Sequence, residues 1–107
     1  MIVVTTDTVP DKRIVKTLGI VRGNTVRARH IGKDILAALR NIVGGEVHEY
    51  AKLISESREQ ALDRMVAEAE SLGANAVIAT RFTTSMMMGG AAELLAVGTA
   101  AVVEDDD

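Results

Sequence analysis

From Val47 to Phe82 the chain reads as a long amphipathic helix running into a glycine and then a strand, and no other stretch constrains the fold as much. Apolar residues recur at Val47, Tyr50, Ala51, Ile54, Ala61, Leu62, Met65, Val66, Ala69 and Leu72, the three-and-four spacing of one helical face. Gly73 then supplies the residue type that most readily takes the left-handed conformation in which helices often end. Asn75 to Phe82 follows as a strand, rich in β-branched and apolar residues without helical period. Ser57 and Gln60 have capping-box spacing and would allow a second helix start. The phase held across them by Val47, Tyr50, Ile54, Ala61, Met65 and Leu72 argues for one helix. That phase also puts Arg58 on the apolar stripe. A guanidinium there needs a carboxylate, a helix C-terminus or an acceptor across a subunit interface, unless its stem packs while its head reaches water.

The flanking segments complete a two-layer α/β (α+β) plan. Ile2 to Thr6 is a short β-rich run, closed by turn chemistry at Thr8-Val9-Pro10-Asp11. Arg13 to Arg29 reads as one long strand, with a bulge or kink expected at Gly23-Asn24. Ile35 to Val43 reads as a short helix ended by Gly44-Gly45, and the long helix begins near Glu46. A last strand spans Glu93 to Val103 after a loop containing Met86, Met87, Met88, Gly89 and Gly90. Glu104 to Asp107 is expected as a frayed, solvated acidic tail on a single domain spanning 1–103. The two late strands are apolar at alternate and intervening positions alike, so both faces of an antiparallel sheet should be buried. One long helix covers one face and the short helix is too small for the other. A neighbouring copy is the simplest cover, which predicts a homo-oligomer.

Composition narrows the chemistry. With 107 residues the chain fits one domain, and its single Phe, single Tyr and absent Trp demand a tightly packed aliphatic core. The absence of Cys excludes disulfides and thiolate metal sites, leaving His, carboxylate or Met as ligands for any metal ion. The apolar start Met1-Ile2-Val3-Val4 lacks a basic flank and gives way at once to polar residues, so a cytoplasmic protein without membrane attachment is expected. Charge is uneven: residues 1–45 carry eight Lys/Arg against three Asp/Glu, and residues 46–107 carry four against twelve. The basic half has no stacking aromatic and no binding motif, so complementary contacts between copies explain the asymmetry better than nucleic acid does.

No motif for an enzyme is present. Gly32-Lys33 lacks the glycine of a phosphate loop, where Arg27 stands, and Asp34 replaces its hydroxyl residue. There is no nucleophile elbow, and neither His is spaced toward a Ser or carboxylate partner. His30 and His48 are weak metal candidates, Glu46 and Glu49 sharing a helical face from which His48 points away. Met86, Met87 and Met88 offer soft thioethers suited to Cu(I), though such side chains more commonly make adaptable apolar contacts.

Gly32-x-Asp34, Arg40 with Gly44-Gly45, Tyr50, Arg58 with Ala61, Gly73-Ala74-Asn75-Ala76-Val77-Ile78 and Gly98-Thr99-Ala100 together resemble the YbjQ family of uncharacterised proteins, which carry a heavy-metal-binding label. The resemblance covers most of the chain. It implies a two-layer fold similar to the dodecin subunit, assembled as a homopentamer. Val97 departs from the Tyr often found at its position in that family. On this resemblance the first candidates for ligand or interface contacts are Asp34, Arg40, Tyr50, Arg58 and Asn75, with a metal ion as the cofactor the family label suggests. The residues themselves leave a plainer reading open, in which Asp34 caps the short helix and Asn75 fixes the turn after Gly73.

Overall fold

The computed structural model describes residues 1–27, 46–86 and 92–106, with the side chains of 27, 46–54 and 86 outside the description. In chain order the elements are β1 (Ile2–Val3), β2 (Lys12–Arg27), α1 (Glu46–Ser71), β3 (Ala76–Met86) and β4 (Ala92–Asp105). The four strands form one sheet in the order β1-β3-β4-β2, and α1 packs on one of its faces. The expected short helix over 35–43 lies outside the described residues.

α1 runs unbroken across Ser57, so the internal capping signal does not start a second helix. Its end is a Schellman turn. Gly73 takes φ +87°, its N–H donates to the Glu70 carbonyl at 3.0 Å, and the Ala74 N–H reaches back to Ala69 at 3.1 Å. These bonds occupy carbonyls that a helix end leaves unpaired, and Ala74 packs against the core that contains Ala69.

Small residues set the distance between layers. The core joins Ala61, Met65 and Ala69 of α1 to Val21 of β2, Val77 of β3, and Ala96 and Ala100 of β4. Paired residues share a face, and Gly23, Val21, Ala96 and Gly98 fall beneath the helix. A Cβ at Gly23 would run into the Ala61 carbonyl oxygen and the Met65 nitrogen, so the helix backbone rests directly on this glycine. That contact corrects the expectation of a bulge at Gly23-Asn24. The register there is regular, Gly23 opposite Ala96 and Asn24 opposite Leu95, and the shifts fall instead between Ile14 and Lys16 and between Thr17 and Gly19. Glycine is present at 23 for close approach, not for a kink.

Three further expectations are revised. The sheet is mixed, because β1 pairs in parallel with β3, Ile2 opposite Ala76, while the other pairs are antiparallel. The acidic end begins inside the sheet: Glu104 and Asp105 pair with Arg13 and Lys12 and form ion pairs with them at 3.0 and 2.6 Å. Finally, the outer face is covered at one end only. Leu94, Ala96, Gly98 and Ala100 under the helix are buried, and on the outer face Ala76, Ile78, Ala101 and Val103 are buried too, whereas Leu95, Val97 and Thr99 are half-buried.

Candidate functional site

Helical rotation of 100° per residue decides where the α1 candidates lie. Ser57, Ala61, Met65 and Ala69 form the buried row, with Ser57 1% exposed. Arg58, one position on, is exposed. The expected placement of Arg58 on the buried stripe is therefore a correction. Ser57 is small enough to sit against β2, and the Thr25 hydroxyl donates to its carbonyl at 3.2 Å. On the β2 flank of the helix, Arg64 donates to the Asn24 carbonyl, and Glu68 accepts a long bond from the Arg22 N–H at 3.5 Å. These two side chains cover backbone groups on the free edge of β2. Arg58, Leu62 and Val66 follow at four-residue steps on the opposite flank.

Asn75 is engaged at both ends of its amide. Its Nδ2 donates to the Val103 carbonyl at 2.9 Å, and its Oδ1 accepts from the Val103 N–H at 2.8 Å. The side chain thus imitates a strand residue and joins the start of β3 to β4. Asp34, Arg40 and His30 lie outside the described residues, as do Met87 and Met88. Tyr50 and His48 are on α1 and Met86 ends β3, but their side chains are outside the description. Of the candidates, only Arg58 and Asn75 can be placed against each other, and they stand on different elements with separate surroundings.

The outer face of the sheet is the feature that sequence reasoning left unresolved by residue. Following the register, Ile20, Thr99 and Ile78 share a row, then Arg22, Val97 and Arg81, then Asn24, Leu95 and Thr83. Ile20 is 68% exposed and Val26, further along the same face, 52%. Arg81 is anchored at the β3 side, its Nη1 donating to the carbonyls of Thr5 at 2.7 Å and Thr80 at 2.8 Å. A bulge between Ile78 and Arg81, with Ala79 at φ 52°, turns Thr80 into the core beside Gly98, where its hydroxyl has no partner. Alternation along β4 predicts the outer row from sequence. The arginines that flank it come from strands whose register only pairing reveals.

A family model described as "Putative heavy-metal-binding" matches residues 1–104. The chain belongs to the YbjQ family. It is 58% identical over 100 residues to a UPF0145 protein of Methanosarcina acetivorans, covering 94% of each chain, and 59% identical to one of Archaeoglobus fulgidus, covering 94% and 93%. A UPF0145 protein of Clostridioides difficile is 54% identical over 107 residues, covering 100% and 96%. Among solved structures, a protein of unknown function of the DUF74 family from Pediococcus pentosaceus superposes with TM-score 0.57 at 14% identity, over 99% and 98% of the two chains, a likeness of fold alone.

The family description invites a test against donors. Among the described residues, no three His, Cys, Asp or Glu side chains converge on a point that could hold a metal ion. The described side chains therefore supply no such set, and the side chains of the thioether and imidazole candidates lie outside the description. Among the described residues no helix is long and apolar enough to cross a membrane.

Proposed function

We propose that the chain is one subunit of a homo-oligomer, a dodecin-like pentamer as the family resemblance implies, that binds a small ligand or a metal ion. The outer face of the sheet carries this reading. Leu95, Val97, Ile20 and Val26 offer partly exposed apolar surface along two adjacent strands. Covering such surface contributes roughly 25 cal/mol per Å², and a chain of this size gains much from adding buried area through association. Arg58, exposed beside Leu62 and Val66, is a cation free to meet an anionic group on a ligand.

Native mass spectrometry of unheated protein counts the subunits and retains a tightly bound passenger. A thermal-shift screen across metal ions and small anions then reads binding through RT ln(1 + [L]/Kd). Loss of a ligand-induced shift in Arg58→Ala with the oligomer intact supports binding at that residue. A single-chain species at micromolar concentration overturns the assembly.

Asn75 favours a second reading, a structural or protein-interaction module with no ligand. Its amide holds the backbone of Val103 at both ends, a scaffold role that needs no ligand. Dissociation of the oligomer by Arg58→Ala, with no ligand shift for the unmodified protein, supports this alternative.

A further inference from the structure

An oligomer built on the open sheet face needs a surface to seat there, and the exposed ridge of α1 has the shape and charge for it. Ser55, Glu59, Asp63 and Ala67 are exposed at four-residue steps, opposite the buried row of Ser57, Ala61 and Met65. Glu59 and Asp63 are like charges one turn apart, an arrangement that repels in an isolated helix. Among the described residues the ion pairs are Lys12–Asp105 and Arg13–Glu104, so neither acid is neutralised within the described chain. The same holds for Arg22 and Arg81, both exposed, which stand in one row of the outer face with Val97 between them. Two strand spacings separate those arginines, about 10 Å. A helix with its side chains is about 10–12 Å across. Along β4 the face is thus a strip of Leu95, Val97 and Thr99, about as wide as one helix, with a single arginine on either side of Val97.

We propose that α1 of one copy lies along this strip on a second copy, with Glu59 and Asp63 meeting Arg22 and Arg81. The proposal rests on the reading that the chain self-associates, and it names the surfaces that do so. Each copy presents its helix ridge to one neighbour and receives a helix from another. Such a head-to-tail contact does not stop at a pair: it makes a ring where the rotation closes and a filament where it does not. Two sheets stacked face to face would bring the arginines of both copies into one interface. Among the described residues the acids at that alternation of β4 are Glu93, hydrogen-bonded to Asn24 at 3.2 Å, and Asp105, paired with Lys12. Charge complementarity therefore selects the helix as occupant.

Charge reversal on the full chain tests the contact, with dilution followed by sedimentation and native mass spectrometry. Arg22→Glu alone, and Glu59→Lys with Asp63→Lys, should each weaken association by about tenfold or more, as opposed charges in an interface do. Combining the three substitutions should bring association back toward the unmodified value. Circular dichroism checks that each variant remains folded, and the helix variants change only exposed positions. If the unmodified chain assembles and the helix variants dilute as it does, this contact is wrong while self-association stands. Failure of the triple variant to recover also overturns the pairing. A monomeric unmodified chain removes the reading beneath it.

Discussion

Gly23 and Thr80 show how single positions carry the packing of this small core. At Gly23 any side chain meets helix backbone, which cannot rotate away as a flexible side chain could. Gly23→Ala should therefore lower the free energy of unfolding by about 3 kcal/mol or more, at the upper end of overpacking effects. Urea unfolding measures this, and a loss below about 1 kcal/mol would mean that the helix lifts off the sheet at little cost. Thr80 presents the opposite case. Its buried hydroxyl has no hydrogen-bond partner, so the desolvation it suffers is uncompensated. Thr80→Val keeps the shape, removes the orphan group and should raise stability by about 1 kcal/mol. A destabilised variant would reveal a bond to that hydroxyl, such as one from a bound water.

Among the elements, the pairing of β2 with the end of β4 makes a prediction in pH. The Lys12 ammonium hydrogen-bonds to Asp105 and adds its charge, which together hold that carboxyl below its ordinary value of 3.8. A carboxyl whose pKa is lowered by folding stabilises the fold above its unfolded pKa, and the contribution disappears as pH falls through the lower folded value. Asp105 is exposed, so solvent screens the effect and it is small. An NMR titration should find Asp105 below the ordinary value in the folded chain and back near it in Lys12→Ala. An unchanged titration in that variant would show that the pair does not persist in solution. α1 illustrates a different kind of legibility. Its single run and its stop before Gly73 follow from local periodicity and backbone preference, and the structure agrees with both. Which of its residues enters the core does not follow as surely, because a shift of one position turns a side chain through 100°. Arg58 and Ser57 exchange roles for that reason. Their apolar neighbours at Ala61, Leu62, Met65 and Val66 leave the stripe wide enough to accommodate either phase.

For the whole molecule, the two sheet faces differ in how much apolar surface they leave exposed. If the outer face joins copies, Val97→Asp should reduce the subunit number seen by native mass spectrometry, since it places a carboxylate at the centre of the half-buried strip. Stability of the isolated subunit should change little, because Val97 is already partly in water. Retention of the full assembly by this variant would move the interface elsewhere on the molecule. The expectation that both faces are apolar came from runs such as Leu94-Leu95-Ala96-Val97, and both faces are indeed apolar along β4. Their distinct fates were not legible in the string. Nor was the candidate site, since Asn75 shows its partner Val103 only once the strands lie side by side.

The sequence by itself determined the long helix, its glycine stop and the strands that follow. Each depends on residues within a few positions of one another, and local backbone energetics act at that range. Tertiary structure alone decided the parallel addition of β1, the bulges near Val15 and Leu18 in place of Gly23, and the pairing of the acidic end with Lys12 and Arg13. Those features join segments as many as ninety-three residues apart. They are selected by pairing between strands distant in the chain, a condition that no window along it contains.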